Sequence, residues 1–187
     1  MKNTVLRALA VAAILGVSAF ATTAYADNPM VGGAPMLATK NIIENAVNSK
    51  DHTTLVAAVK AAGLVETLQG AGPFTVLAPT NEAFAALPAG TVDNLLKPEN
   101  KAMLVKVLTC HVIAAKAMAS DIMSMAKTDG GTHVVDTVGG CKLLLKADGG
   151  KVTITDETGG VATVTIADVA QSNGVIHVID KVLLPKM

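Results

Sequence analysis

Two cysteines are the first residues of this sequence that could do covalent chemistry. Cys110 and Cys141 could form a disulfide, or one could act as a thiolate nucleophile or metal ligand with His111 adjacent. An even number of cysteines in an exported chain favours the disulfide, and the N-terminal segment described below predicts export. If each cysteine begins a strand, Cys110 and His111 point to opposite faces, which argues against a shared substrate. We therefore predict a Cys110–Cys141 disulfide that closes a loop of about 32 residues and contributes roughly 3–4 kcal/mol.

Four histidines form the second group with chemical potential. His52, His111, His133 and His177 show neither H-x-x-x-H nor C-x-x-C spacing. His111 and His177 could meet across neighbouring strands, where they would either bind a metal ion or form hydrogen bonds that connect the strands. No third ligand accompanies them, and a buried ring nitrogen without a partner costs about 1–3 kcal/mol. We predict hydrogen-bonded structural histidines, with no metal and no other cofactor.

The remaining polar motifs fit local structure better than catalysis. Asp156-Glu157 pairs two carboxylates but lies in a predicted turn, where solvation is expected. In Thr80-Asn81-Glu82, Thr80 or Asn81 would cap a helix, and Glu82 would meet the positive end of its dipole. The sequence contains no G-x-S-x-G nucleophile motif and no phosphate-binding glycine loop between a strand and a helix. These patterns predict that the protein is not an enzyme.

The elements that must position these residues change type along the chain. The first half shows helical periodicity with one short buried strand, Phe74 to Leu77. The second half shows short strands, and Lys151 to Thr155 alternates apolar and polar residues. Asp148-Gly149-Gly150 and Thr158-Gly159-Gly160 are hairpin signals between those strands. Helices followed by an antiparallel meander predict an α+β fold.

The segment SNGVIHVIDKVLLP, residues 172 to 185, predicts a turn at Asn173-Gly174 followed by a strand that contains His177. Its alternating residues define two faces, one with Val175, His177, Ile179 and Leu183 and the other with Ile176, Val178, Val182 and Leu184. Since both faces are apolar, we predict a central strand with a neighbour on either side. In that position His177 would be part of the structure and not a catalyst.

The N-terminal segment predicts export. Residues 1–26 combine a basic start, a short apolar core and a small-x-small site, which is typical of a signal peptide cleaved after Ala26. Residues 27–39 contain two prolines and two glycines and are interpreted as a flexible lead-in, so the folded domain is predicted over 40–187. No later apolar run is long enough for a membrane helix. We therefore predict a secreted or periplasmic protein that does not span a membrane.

The composition excludes some classes of partner. The chain has 15 Lys+Arg and 15 Asp+Glu, so removal of Lys2 and Arg7 with the signal leaves 13 against 15, a net charge of −2. No arginine remains, and Phe74 and Phe84 are the remaining aromatic residues. Arginine forks and aromatic platforms are what nucleic-acid binding uses most. The composition therefore argues against nucleic acid as a partner, and against aromatic carbohydrate recognition.

Two long motifs identify a family. FTVLAPTNEAF at 74–84 and NGVIHVIDKVLLP at 173–185 resemble the two signature segments of the fasciclin domain, in the expected order. The AAVKAAGLVETLQGAGP segment and Cys110-His111-Val112, which is similar to the family's Tyr-His segment, lie between and around them, so that the resemblance spans residues 38–185. It implies a fasciclin-like wedge of two antiparallel-rich β-sheets with helices packed around it. The chain is most similar in size to the small secreted bacterial members.

The resemblance also implies a function and interaction residues. Fasciclin domains are extracellular and adhesive, which implies a non-enzymatic module that binds cell-surface or extracellular-matrix proteins. In some animal members an acidic-aliphatic pair and the Tyr-His segment are implicated in integrin contact; here the matching residues are Asp168, Val169 and His111, with Cys110 in place of the tyrosine. The alternative is a periplasmic module that binds a small apolar ligand between helices and sheet. A monomer or weak homo-oligomer is expected.

Overall fold

The computed structural model describes residues 28–186, so the predicted signal peptide and its cleavage site lie outside the described residues. The α-helices are α1 (Ile42–Ala46), α2 (Thr53–Ala62), α3 (Val65–Gln69), α4 (Asn81–Ala85), α5 (Thr91–Leu95), α6 (Lys101–Thr109) and α7 (Ala119–Thr128). Short 3₁₀ turns precede α2 (Lys50–His52) and α6 (Pro98–Asn100). The strands are β1 (Met30–Val31), β2 (Ala34–Pro35), β3 (Phe74–Pro79), β4 (Val112–Ile113), β5 (Thr132–Asp136), β6 (Lys142–Asp148), β7 (Lys151–Thr155), β8 (Val161–Gln171) and β9 (Gly174–Ile179).

The strand order confirms the predicted α+β fold and the antiparallel meander. The strands are neighbours in the order β4-β3-β9-β8-β7-β6-β5, and β5, β6, β7 and β8 each pair antiparallel with the next strand along the chain. β3 pairs parallel with β9, which places β9 between β3 and β8. The predicted central strand is confirmed over Gly174–Ile179, where all residues are buried. The strand ends there, so the prediction that it continues through Val182, Leu183 and Leu184 is wrong.

The long strand β8 connects two sheets. Its first residues, Val161 to Thr163, pair with β7, and its later residues, Val164 to Gln171, pair with β9. Register shifts fall between Val164 and Ile166 and between Ile166 and Val169. Such irregularities bend a strand and increase its twist, so β8 can belong to both sheets. This arrangement agrees with the wedge of two sheets expected from the sequence.

The two faces of β9 contribute to two separate cores. Ile176 and Val178 of β9, with Val182 beyond its end, pack in the core beneath α1 to α6. Ile179 of β9, with Leu183 beyond its end, packs in the core between α7 and the β6–β8 sheet. The alternation seen in the sequence therefore corresponds to two apolar environments. A one-residue slip of β9 would exchange them, which is why its register is strongly specified.

The segment expected to be a flexible lead-in packs against the domain. β1 and β2 pair as a small antiparallel hairpin. Val31 and Met36, which are 4% and 2% exposed, belong to the core beneath α1 to α6. Leu37 exchanges hydrogen bonds with the Asn45 side chain through its N–H (3.0 Å) and its carbonyl (2.8 Å). The apolar residues scattered among prolines and glycines here belong to the core. Their spacing shows neither helical nor strand periodicity, so the sequence did not predict this.

Candidate functional site

His177 has both ring nitrogens engaged by the backbone. Its Nδ1 accepts a hydrogen bond from the Asp168 N–H (3.2 Å), so Nε2 carries the proton and donates to the Ala117 carbonyl (2.8 Å). The side chain is 1% exposed. The ring thus connects the central strand to the irregular part of β8 and to the segment before α7. No nitrogen remains to act as a base or a ligand.

His111 is similarly engaged, but with other partners. Its Nε2 accepts from the Leu183 N–H (2.9 Å), so Nδ1 donates to the Val107 carbonyl (2.8 Å). Complete burial lowers the pKa of His111 to about 4, although the Val107 carbonyl and the Asp156 carboxylate oppose that shift. The two histidines therefore form separate sets of hydrogen bonds, each with its own backbone partners. His111 connects the end of α6 to the C-terminal segment.

Asp168 lies at the second irregularity of β8. It has a positive φ of 59°, a conformation that aspartate tolerates better than most residues. Its Oδ1 accepts a hydrogen bond from the N–H of Ala119, the first residue of α7 (2.7 Å). The residue is partly exposed, whereas Val169 is 0% and His111 2% exposed. Of the three residues matched to the animal interaction segment, Asp168 alone has surface that a partner could contact in this conformation.

The two cysteines form the predicted disulfide. Cys110 and Cys141 are bonded with their Cα atoms 5.3 Å apart, and each is 1% exposed. Cys110 ends α6 and does not begin a strand, so the prediction of its position is wrong while that of the pairing is confirmed. The bridge connects α6 to the residue before β6. Since His111 bonds to the backbone of Val107 and Leu183, it forms no catalytic pair with sulfur.

The carboxylate pair in the β7–β8 turn is structural. Asp156 is 6% exposed, so the expectation that it is solvated is wrong. Its Oδ1 accepts from Thr158 and Gly160, and its Oδ2 accepts from the Leu184 N–H (2.9 Å). Glu157 is partly exposed, and hydrogen bonds from the Lys186 and Lys142 N–H groups lower its pKa. Both carboxylates thus hold the C-terminal segment against the turn.

The residues predicted to cap the helix after β3 have different partners. Thr80 caps α4, since its Oγ1 accepts from the Ala83 N–H (3.2 Å). Asn81 instead bridges to the start of α2: its Oδ1 accepts from the Thr54 N–H (3.0 Å), and its Nδ2 donates to the Lys50 carbonyl (2.8 Å). The first signature segment, FTVLAPTNEAF at 74–84, thus includes one local cap and one long-range connection.

Asn173 and Gly174 are also placed differently from the prediction. Gln171 pairs with Gly174, so the two-residue turn is Ser172–Asn173 and Gly174 is the first residue of β9. Gly174 passes so close to the Phe74 backbone that a Cβ there would overlap it. The Asn173 side chain accepts from the Ile42 N–H (3.0 Å) and donates to the carbonyls of Leu68 (2.8 Å) and Gly70 (2.9 Å). Asn173 therefore connects α1, α3 and the sheet.

Within residues 28–186, no three His, Cys, Asp or Glu side chains are grouped so that they could hold a metal ion. In the same part of the chain, no helix has the length and apolar character needed to cross a membrane.

An apolar cavity lies between the helices and the sheet, and the sequence did not predict which residues line it. It has a volume of about 50 Å³ and lies beneath α1, α2 and α3. Aliphatic side chains form most of its wall, among them Val31, Met36, Ile43, Leu55, Val59, Leu68, Val76 and Ile176. His52 also lines it and is 2% exposed. Sequence periodicity placed the helix and strand residues among these in a core, but not Val31 and Met36, and it gave no sign that the core is incompletely filled.

The family comparison agrees with the geometry. The model of the fasciclin domain matches residues 50–185, which is most of the chain. This chain belongs to the fasciclin domain family. The fasciclin match includes β3, β9, Asp168 and both histidines whose rings connect the strands, but it begins after α1 and the β1–β2 hairpin. Part of the cavity wall, including Val31 and Met36, thus lies outside the matched region.

The proteins similar to this chain include bacterial ones, and a similar structure comes from an insect. Protein sll1483 of Synechocystis sp. is 53% identical over 146 residues, covering 78% of this chain and 74% of that protein. Immunogenic protein MPB70 of Mycobacterium bovis is 34% identical over 145 residues, covering 75% of this chain and 66% of that protein. A FAS1 domain pair from the insect cell adhesion molecule fasciclin I matches with a TM-score of 0.70 at 16% identity, covering 78% of this chain and 51% of that one. This last likeness confirms the fasciclin fold.

Proposed function

We propose that this protein is exported and acts without catalysis, as a module that binds proteins of the cell surface or extracellular matrix. Membership of the fasciclin domain family is the observation that carries the proposal, and the structure that matches its fold belongs to a cell adhesion molecule. The internal roles of His111, His177 and the two cysteines support the non-enzymatic part, because their reactive atoms are engaged in holding the fold.

Asp168 is the residue we propose for the contact. Its carboxylate is partly exposed at an irregular position of β8, and one of its oxygens is already oriented by the Ala119 N–H. Val169 and His111 are buried, so we expect them to affect binding only through the stability of the fold. A negative charge held in a fixed orientation suits a basic or hydrogen-bond-donating surface on the partner.

The test compares two carboxylates in a quantitative pull-down from surface and matrix extracts. Asp168→Asn removes the charge but keeps an oxygen for the Ala119 N–H and tolerates the positive φ. Asp180→Asn is the matched control, since exposed Asp180 also accepts a backbone N–H, that of Thr163 (2.7 Å). We expect Asp168→Asn to lower partner recovery and Asp180→Asn to leave it unchanged. Equal recovery from all three proteins would remove Asp168 from the site, and no specific recovery by the wild type would contradict the adhesive function.

The proposed export of the protein can be tested separately. Export with cleavage after Ala26 predicts a mature protein that begins at Asp27 and is found in the periplasm or the medium. N-terminal sequencing of protein isolated from each fraction checks both points, and recovery of an uncleaved chain from the cytosol would contradict them.

The apolar cavity favours a second candidate function, the binding of a small apolar ligand between helices and sheet. The cavity lies between the helices and the sheet, and its wall is mostly aliphatic. Sites that bind apolar small molecules are lined mainly by such side chains. Mass spectrometry under native conditions without detergent, on protein isolated from its source, should then detect a bound molecule of low polarity. Protein that is uniformly free of bound mass would contradict this candidate while leaving the adhesive function untouched.

A further inference from the structure

Strand β5 forms an open edge at the end of the strand order. It pairs on one side with β6, and no strand of residues 28–186 lies on its other side. None of its five residues is buried, although every other strand in that order has buried residues. The opposite edge strand, β4, has two residues, and its Val112 carbonyl accepts a hydrogen bond from the Val138 N–H (2.8 Å). Of the two edges, β5 is therefore the one that can receive a further strand.

The backbone register shows which groups of β5 point outward. The Thr137 N–H bonds to the Cys141 carbonyl (2.9 Å), and the pairing of β5 with β6 continues from there without a register shift. Hydrogen-bonded positions alternate along an antiparallel pair, so every second residue of β5 directs its N–H and carbonyl groups away from β6. These outward residues are Thr132, Val134 and Asp136. Their backbone groups form a template for another strand.

The strand lacks the features with which sheet edges usually prevent such pairing. Its sequence, THVVD, contains neither proline nor lysine, and its pairing with β6 has no bulge. Its one carboxylate, that of Asp136, already lies 2.9 Å from the Lys142 ammonium of the same chain. The Val134 side chain is 51% exposed at the middle of the strand. An open edge with an exposed apolar side chain at its centre favours association.

The sequence of β5 is complementary to itself about Val134. When two copies pair antiparallel around a twofold axis at this residue, the two Val134 side chains lie opposite each other and all five residues of each strand are paired. Thr132 then lies opposite Asp136, where its hydroxyl can donate to the carboxylate, and no like charges face each other. A twofold axis at Thr132 or at Asp136 would pair fewer residues, and the second would set two carboxylates opposite each other. The register centred on Val134 is therefore favoured.

Apolar side chains flank this junction on both faces of the sheet. On one face, Val134 lies beside Leu144, its partner on β6, which is half-buried. On the other face, Val135 and Met125 are partly buried at the margin of the core between α7 and the sheet. Met123 lines a groove beside the β6–β7 turn, so Met125, on the opposite flank of α7, lies on the side of β5. A second copy at this edge would cover apolar surface on both faces.

We propose that β5 is a self-association edge, through which two copies of this protein pair antiparallel with Val134 at the twofold axis. The two sheets then join edge to edge, and backbone hydrogen bonds supply most of the contact. A five-residue strand and the few side chains beside it make a small interface, which belongs to the weak, concentration-dependent class. This inference does not depend on the proposed adhesive function.

The test measures self-association of the mature chain by sedimentation velocity at concentrations from about 1 μM to about 1 mM. We expect the wild type to change from monomer to dimer within this range. Val134→Lys sets two ammonium groups opposite each other at the twofold axis and should weaken dimerisation about tenfold or more. Val161→Lys is the matched control and should leave dimerisation unchanged. Val161 is 43% exposed and lies on the same face, in the cross-strand row of Val134, Leu144 and Thr155, but on β8 and away from the edge.

Exchange of charge tests the register. Val134→Glu alone should dimerise as poorly as Val134→Lys, because two carboxylates then face each other. An equal mixture of the two variants should form a dimer with one copy of each, since the proposed pairing sets residue 134 of one copy opposite residue 134 of the other. Native mass spectrometry distinguishes this mixed dimer from dimers of either variant with itself.

Three results would overturn the inference. A wild type that stays monomeric up to the highest concentration would leave the edge to a strand of a different protein. Dimerisation unchanged by Val134→Lys would place the interface elsewhere on the molecule, and a mixture without mixed dimers would show that the register is wrong. If a variant does not fold, amide hydrogen exchange of the wild type decides. The N–H groups of Thr132, Val134 and Asp136 must become protected as the concentration rises, and amides that exchange equally fast in the dimer contradict the pairing.

Discussion

At the scale of single residues, two of the histidines, His111 and His177, each accept one hydrogen bond and donate another. His177 accepts from Asp168 N–H and donates to the Ala117 carbonyl, and His111 does the same with Leu183 and Val107. In both cases the backbone partners determine the tautomer. The rings therefore contribute to stability, and their loss leaves buried backbone groups without partners.

Replacement of His177 by alanine should lower the free energy of unfolding by about 1–3 kcal/mol, because the Asp168 N–H and the Ala117 carbonyl lose their partner. Urea denaturation measures the change. His133→Ala is the control, since His133 bonds to Asp129 at the surface and should have a much smaller effect. Unchanged stability together with lost partner binding would contradict the structural role of His177.

Stability should fall as the pH is lowered from 7.5 to 5. The pKa of His111 is lowered to about 4 in the folded protein, so below pH 6.5 the unfolded chain binds a proton that the folded protein does not. This one group would remove about 2 kcal/mol by pH 5, and the loss would level off below pH 4. The lowered pKa of His52 acts in the same direction. Urea denaturation of the wild type and of His111→Gln should show a shallower pH dependence for the variant, and equal slopes would contradict the assignment.

At the scale of elements, single side chains connect helices and strands that are distant in sequence. Asp168 connects β8 to α7, Asn81 connects α4 to the start of α2, and Asn173 connects the β8–β9 turn to α1 and α3. Helices as short as α1 and α3, with five residues each, are not stable alone. Their positions depend on these side chains and on the apolar residues that they bury.

Replacement of Asn173 by alanine should lower the free energy of unfolding by about 2–4 kcal/mol, since the Ile42 N–H and the carbonyls of Leu68 and Gly70 all lose their partner. Asn48→Ala is the matched control: exposed Asn48 donates to the Glu44 carbonyl within one helical turn, and its loss should have little effect. Chemical denaturation of both variants measures the difference. Similar losses for the two would contradict the connecting role of Asn173.

At the scale of the whole molecule, two cores are joined by β8 and β9, and the N-terminal hairpin belongs to the first of them. Val31 and Met36 pack beneath the helices and line the cavity, although they precede the region matched by the family. The backbone of Gly32 accepts a hydrogen bond from the Lys50 N–H (3.1 Å), beside His52. The hairpin therefore closes the part of the molecule that contains the cavity.

A shortened chain that begins at Lys40 should be less stable than the mature chain by at least about 3 kcal/mol, because two buried apolar side chains contribute about 1.5–3 kcal/mol each. A chain that begins at Asn28 keeps the hairpin and should match the mature protein. Thermal and urea unfolding of the three chains test this. If the chain from Lys40 were as stable as the others, the predicted domain boundary at residue 40 would hold and the hairpin would be dispensable.

The sequence by itself determined the class of fold, the central strand with its two apolar faces, the fasciclin family and the disulfide pairing. Each depends on local periodicity, on a contiguous motif or on the parity of two cysteines, all of which are readable along the chain. The sequence could not place the partners of polar side chains, because Leu183 N–H and His111 are 72 residues apart and Ala119 N–H and Asp168 are 49 apart. For that reason the sequence predicted a solvated Asp156, which is buried, and placed the turn before β9 at Asn173-Gly174, one residue later than its observed position at Ser172–Asn173.

The cavity and the unpartnered Nε2 of His52 were decided by the tertiary structure alone. A cavity is the difference between the space that the packed elements enclose and the volume of the side chains that enter it, and no pattern of residue types along the chain reports that difference. Likewise, whether a buried nitrogen finds a partner depends on where backbone groups from distant segments end up in space. The same aliphatic sequence would be consistent with a filled core, and the folded arrangement leaves a space of about 50 Å³.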